Sequence, residues 1–293
     1  MHTPAIQNLL AQFDRLSGTY MRAEVEEAVA QQEAITPHLL RILEDVGTNP
    51  LRYSLEGGNA HVYAALLLSH FREPAAHLLF IRAFSIAEEQ LMDLWGDMTT
   101  ETLPTLLYQT CAGSISAIKE LIGNREVDQY ARCAAMEALS YVVAFDPLQR
   151  DEVINFFQGL FSGSEADPDS YFWGNLTATL CDLHPGESME IIRKAFADGV
   201  VRPGFIGLAD VEQAAARNKE ESATFLRAWV TARMPADIHA YISWFAEFNH
   251  EDAFASPSSP SPADQKSKKS AKNNKTGGTK NKTTNKAKKK NQR

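Results

Sequence analysis

Four prolines stand at a near-constant interval along this chain, and they constrain its fold more than any other feature. Proline has no backbone N–H and a fixed φ, so it suits the first turn of a helix, where that donor has no intrahelical partner. Pro37, Pro74, Pro147 and Pro185 follow Thr36, Glu73, Asp146 and His184. Their separations of 37, 73 and 38 residues are one, two and one step of about 37. The missing middle start falls near Ser114, after Gly113, where a serine can cap the helix in place of proline. One further step beyond Pro185 reaches Ser222. A fixed period in this range is the sequence signature of helical-repeat solenoids.

Amphipathic segments follow these starts. Val153, Phe156, Phe157 and Leu160 fall on one helical face after Pro147, as do Met189, Ile192 and Phe196 after Pro185. Leu39, Leu40, Ile42, Leu43 and Val46 make a broader stripe after Pro37. Partner helices are expected before the starts, over about 20–32, 59–71, 100–111, 127–144 and 169–182. In the fourth, Ala131, Ala134, Ala135 and Ala138 form a small-residue face that lets helices approach closely. Alternating β-branched runs between turn signals are lacking, so strands are not expected. A compact bundle would use similar helices but has no reason to repeat a helix-start proline. The expected fold is an all-α, HEAT-like α-solenoid of about six helix pairs over residues 1–250.

Charge divides the chain in two. Residues 1–264 hold 37 acidic and 17 basic side chains, a balance of −20, whereas residues 265–293 hold 11 Lys and one Arg without an acid, or +12. An acidic body is a poor grip for phosphates, which need cations. From Ser256 the chain runs through Ser and Pro into Lys, Asn, Thr and Gly, with no large apolar residue to offset ordering entropy. Residues 251–293 are therefore expected to form a disordered tail, Ser/Pro-rich and then basic. Its Lys266, Lys268, Lys269, Lys272, Lys286, Lys288, Lys289 and Lys290 are candidates for contacting polyanions.

The N-terminal residues lack the charged-then-apolar pattern of a signal peptide, and the uncharged stretch 57–71 falls short of a bilayer span of ~20 apolar residues. Cys111, Cys133 and Cys181 are odd in number and far apart, which reads as reduced core thiols. A cytoplasmic location without membrane contact is expected.

Several stretches resemble a bacterial domain-of-unknown-function family with HEAT-like helical repeats. They are His61-Val-Tyr-Ala-Ala-Leu-Leu-Leu-Ser-His-Phe-Arg-Glu-Pro74, Trp95-Gly-Asp97, Tyr130-Ala-Arg-Cys-Ala-Ala-Met-Glu-Ala-Leu139 and Cys181-Asp-Leu-His-Pro185. The resemblance covers roughly residues 5–235 and implies a helical solenoid, but it brings no catalytic residues. Relatives can end in a SecA-type cysteine-rich zinc motif; here no cysteine follows Cys181. Around Arg132, an arginine followed by paired alanines and a leucine also matches the general HEAT pattern.

Chemistry-bearing motifs are missing. The sequence has no P-loop, no G-x-G-x-x-G, no G-x-S-x-G elbow and no zinc spacing. His61, His70 and His77 straddle Pro74 at spacings that do not converge on one point, so they read as structural. Trp95-Gly96-Asp97 reads as a packed aromatic, a glycine helix end and an acid near the next helix start. Its other reading, with Glu101, is a partner-binding aromatic beside carboxylates, and Trp95, Asp97 and Glu101 are the candidate partner-binding residues. Glu88, Glu89 and Asp93 extend that acidic face. Tyr171-Phe172-Trp173 is expected to send one or two rings into the core, and Trp244, Phe245 and Phe248 to cover the last repeat.

No catalytic residue, cofactor or metal is expected. The expected function is a non-enzymatic protein-interaction scaffold with another protein on its surface. A nucleic-acid accessory protein using the tail is the alternative. A HEAT-like lyase is a third reading, for which no nucleophile–base pair is legible.

Overall fold

The computed structural model describes residues 4–15, 18–56, 58–161, 164–202, 204–234, 236–243 and 245. In chain order its α-helices are α1 (Pro4–Phe13), α2 (Arg22–Ala30), α3 (Gln32–Thr48), α4 (Pro50–Glu56), α5 (Ala60–His70), α6 (His77–Phe84), α7 (Glu88–Trp95), α8 (Met98–Glu101), α9 (Leu103–Thr110), α10 (Ser116–Gly123), α11 (Gln129–Phe145), α12 (Arg150–Leu160), α13 (Tyr171–Asp182), α14 (Met189–Ala197), α15 (Leu208–Ala215), α16 (Lys219–Arg233) and α17 (Ile238–Ile242). No strand occurs among the described residues, and the fold is all-α. No described helix is long and apolar enough to cross a membrane.

Local chemistry sets most helix starts. Pro74 and Pro147 each open a short 3-10 turn leading into α6 and α12. The Glu73 and Asp146 carboxylates accept the orphan N–H groups of Ala75 (3.0 Å) and Leu148 (3.3 Å). Gln149 donates back to the Asp146 carboxylate (3.0 Å). Asp128 caps α11 by accepting from Tyr130 and Ala131, and Ser170 caps α13.

Two expected starts and one expected cap are corrected. Pro37 lies inside α3, which begins at Gln32. Ile35 is fully buried on the same face as Leu39 and Leu43, and burying it upstream of the proline outweighs one missing backbone hydrogen bond. Ser222 lies inside α16, whose cap is Asn218, accepting from Glu220 and Glu221 at 2.8 and 3.3 Å. Ser114 does not cap α10, which follows a turn with positive φ at Ala112 and Gly113 and starts at Ser116 with no side-chain cap. The helix expected over 100–111 is divided into α8 and α9, because Pro104 cannot donate to the turn before it.

Helix-on-helix packing repeats along the chain. In one row α5 packs on α9, α9 on α11, α11 on α13 and α13 on α15; behind it α3 packs on α6 and α6 on α10. Polar bonds between successive units recur at a separation of 33 residues: His61 to the Leu94 carbonyl, His77 to Thr110, Lys119 to Glu152 and Arg132 to the Glu165 carbonyl. At the centre is α11, where Ala131, Ala135 and Ala138 are fully buried and allow α9, α10, α13 and α16 to pack on one helix. Arg132 is buried within it, donating to the Ile122 carbonyl at 2.7 Å and lying 4.3 Å from the Phe172 ring.

The last elements do not extend the row. Instead α16 turns back onto α11 and α13. Beyond it, the His239 ring meets the Tyr20 hydroxyl at 2.6 Å, 219 residues away in the chain. Phe245 is buried as expected, while Trp244 and Phe248 lie outside the described residues.

Candidate functional site

The C-terminal ends of α11 and α13 point to the same place, and α16 runs over them. Between these three helices and the start of α12 is a cleft of about 710 Å³, with Val143, Ala144, Pro147, Leu183, Ala223 and Leu226 among its lining residues. A second cavity of about 190 Å³ adjoins it, sharing Asp182 and Leu226 and adding Cys181, Arg217, Phe225 and Trp229.

Helix ends expose carbonyls and carry partial negative charge. Here arginines from neighbouring elements close them. Arg227 of α16 donates to the Ala144 carbonyl at 2.8 Å and lies over the Phe145 ring. Arg150 of α12 donates to the Leu183 and His184 carbonyls and, through two bonds of 2.9 Å, to Glu187. Lys219 reaches the same carboxylate at 2.8 Å. The cleft's cations are therefore committed within the fold.

Asp182 is not. No hydrogen bond or ion pair to its carboxylate is found among the described residues. It reaches solvent through the cleft but is crowded by protein, which, with Glu137 nearby, pushes its carboxyl up to about 6 against the pull of Arg217. Burial likewise pushes the Cys181 thiol up to about 12, leaving it protonated and a poor nucleophile. The Ser222 hydroxyl is buried without a hydrogen-bond partner and so has no base to activate it.

Tyr141 of α11 and Arg233 of α16 fix the roof. The Tyr141 hydroxyl donates to Glu137 (2.7 Å) and accepts from Arg233 Nε (3.1 Å), and Arg233 Nη2 donates to Glu101 (3.1 Å). Trp229 lies edge-on to Tyr141, with ring centroids 5.9 Å apart.

The residues singled out from the sequence do not form one patch. Trp95 belongs to the core: it is 1% exposed, stacks on Phe84 at 4.4 Å and donates to the Ala83 carbonyl. The same ring that makes an aromatic useful to a partner favours its burial, and Phe84 and His61 complete its surroundings. Asp97 is exposed, and Glu101 is tied to Arg233. The tail lysines lie outside the described residues. His61 and His77 have separate partners, Leu94 and Thr110, and do not meet. Phe172 and Trp173 enter the core as expected, while Tyr171 stays half-buried. Sequence reasoning missed the cleft. Its only local signal was Phe225, Trp229 and Arg233 at helical spacing on α16.

Repeated helix packing and bonds recurring from unit to unit define a helical-repeat protein. Within that class the chain belongs to the family described as "Protein of unknown function (DUF1186)", whose model matches residues 5–249. It is 32% identical over 212 residues to an uncharacterized protein of Chlamydia trachomatis, covering 72% of this chain and 84% of that one. An uncharacterized protein of Chlamydia muridarum is 33% identical over 198 residues, covering 67% and 79%. No solved structure matches the chain.

Proposed function

We propose that this protein is a non-enzymatic, cytoplasmic adaptor with a HEAT-like arrangement of about six helix pairs. It holds an apolar segment of a partner protein, flanked by a cationic side chain, in the cleft beneath α16. The observation that carries this reading is Asp182: a solvent-reaching carboxylate without a partner among the described residues, lining an apolar cleft whose own arginines are committed to helix ends. A Lys or Arg placed there gains an ion pair at little further desolvation cost, while its apolar neighbours fill the space beside Leu226 and Ala223. Leu148, next to the lining Pro147, is 93% exposed, and Phe225 is 66% exposed, so the rim offers apolar area as well.

The test is a binding screen of full-length protein against short peptides that pair aliphatic with basic, neutral or acidic residues. Ala223→Trp, which fills the cleft from an exposed position, is expected to abolish binding of the aliphatic–basic peptides. Equal binding by this variant, or a preference for acidic peptides, would overturn the reading.

A further inference from the structure

Helix α16 has a cavity on each flank. Ala223 and Arg227 line the cleft on one side, Phe225 and Trp229 line the smaller cavity on the other, and both cavities reach Leu226 and Asp182 beneath the helix. Each pair is one helical turn apart, which keeps its members on a single flank. An apolar–basic segment fills the cleft and leaves the cavity across α16 unused. At about 190 Å³ that cavity lies below the ~300 Å³ at which sites for whole small ligands begin, so it suits one side chain.

Its walls favour a ring. Phe225 is 66% exposed, and Trp229 is half-buried, so an incoming group can touch both. The Trp229 ring is already held in place, by Tyr141 edge-on at 5.9 Å and by the Arg233 guanidinium 4.8 Å from its centroid. A fixed wall loses little freedom when a partner arrives. Aromatic rings packed edge-to-face or offset gain more than their buried area alone supplies. Arg217 lines the same cavity, is exposed, and makes no hydrogen bond or ion pair through its side chain among the described residues. Its guanidinium is therefore available to lie over a ring. The Cys181 thiol, kept protonated, adds an uncharged surface.

Between the flanks, the outer face of α16 can be crossed. Thr224, Ala228 and Thr231 are small and exposed there. Both threonine hydroxyls donate to carbonyls of their own helix, at Glu220 (2.9 Å) and Arg227 (2.7 Å). A chain laid over them need not supply hydrogen bonds to either. Building on the adaptor reading, we propose that the partner segment straddles α16, with its apolar and basic residues in the cleft and an aromatic side chain in the cavity between Phe225 and Trp229. The partner is then a peptide whose aromatic residue stands at a fixed distance from its aliphatic–basic pair. Buried aromatic anchors of this kind carry much of the energy of such interfaces.

The probes are dye-labelled synthetic peptides holding one leucine–lysine pair on a glycine–serine background, titrated into full-length protein by fluorescence anisotropy. In one series a phenylalanine is moved stepwise away from the pair, and in the other serine takes its place. Phenylalanine is expected to raise affinity about tenfold, and only over a narrow range of distances. Phe225→Ala, a change at an exposed position, should erase that gain while the serine series still binds. For location, unlabelled peptide with bromophenylalanine should quench tryptophan emission. That quenching should vanish in Trp229→Phe, which keeps a ring in the wall. No gain, an equal gain at every distance, a gain that survives Phe225→Ala, or quenching that persists in Trp229→Phe overturns the straddling arrangement and leaves the cleft reading in place. Failure of the leucine–lysine peptides to bind at all overturns both.

Discussion

Arg150 and Glu187 face each other through two parallel hydrogen bonds of 2.9 Å, and 37 residues of chain separate them. That separation is within one residue of the local proline step of 38, so this pair joins one unit to the next. Paired geometry of this kind is the strongest form of arginine–carboxylate contact. The Glu187 carboxyl is accordingly held far below the usual carboxylate range, chiefly by Arg150 and then by Lys219.

A depressed carboxyl pKa contributes stability that is present above the unfolded-state value and disappears as pH falls through the folded one. The melting temperature should therefore drop on acidification below about pH 4, with Glu187 contributing to the slope. Glu187→Gln should flatten that part of the curve. With the side chain 46% exposed, solvent screening limits its cost at pH 7 to about 1 kcal/mol, or roughly 3 °C. Calorimetry from pH 3 to 7 checks this, and an unaltered acid slope in the variant would count against it.

Asp182 carries the opposite sign. Its carboxyl is raised to about 6, so the stability it permits is fully present below the unfolded value and lost as pH rises through about 6. Asp182→Asn should leave the melting temperature unchanged at pH 4 and raise it at pH 8. After allowance for solvent the gain is under about 1 kcal/mol, or roughly 2 °C. The same variant should lose aliphatic–basic peptides from the cleft. Lower stability at pH 8 would mean that the carboxylate is structurally paired after all.

Two leucines test the assignment of faces. Leu139 on α11 is fully buried, and Leu148, nine positions along, is 93% exposed. Leu139→Asp places an unpaired carboxylate in the core, at a cost above about 4 kcal/mol, and should prevent recovery of folded protein. Leu148→Asp should shift stability by no more than about 0.5 kcal/mol. Similar melting of the two variants would contradict the packing.

What the sequence made legible was local and periodic. Pro74 and Pro147 mark helix starts because a proline at that position satisfies both its fixed φ and its missing donor, and nothing distant competes. Pro37 misled because the burial of Ile35 is a tertiary effect invisible to spacing. The alanine face of α11 was readable as a close-packing surface, but not that α16 would be one of its partners. That return depends on Arg227 meeting Ala144, 83 residues away, and Arg233 meeting Glu101, 132 away. No period encodes such contacts. Since the cleft exists only because α16 returns, it was not legible either. Trp95 shows the same limit for single residues, since an aromatic beside acids reads alike whether it faces solvent or Phe84.

The return of α16 can be loosened at one residue. Arg233 donates to Tyr141 and Glu101 and lies 3.6 Å from Glu137, whose carboxyl is raised by burial and restrained by Tyr141 and Arg233. Arg233→Met keeps the aliphatic stem but removes the donors and leaves Glu137 without its cation. Amide hydrogen exchange in α16 should accelerate selectively, about tenfold for each 1.4 kcal/mol lost locally, while α5 and α9 stay protected. Uniform acceleration throughout would show that α16 does not open separately from the rest.

The basic tail offers a final test, on the nucleic-acid alternative. Twelve cations over residues 265–293 without one acid make a polycation by composition, and no large apolar residue is present from Ser256 onward to join a core. Removing residues 256–293 should therefore leave the melting temperature within about 1 °C, since the segment carries no large apolar side chain. It should also abolish any affinity for single-stranded RNA, because the body that remains, residues 1–255, holds 36 acidic and 17 basic side chains, a balance of −19, and repels phosphates. Binding by the tail would be driven by counterion release, so the logarithm of affinity should fall against the logarithm of salt with a slope of about −0.7 per phosphate contacted. If half the cations engage, the slope approaches about −4, a loss easily measured between low and near-physiological salt. Titration of RNA into full-length and shortened chains gives the answer directly. A steep slope that vanishes with the tail supports the alternative, a shallow slope retained without it moves the interaction to the body, and no binding by the full-length chain at low salt removes RNA from consideration.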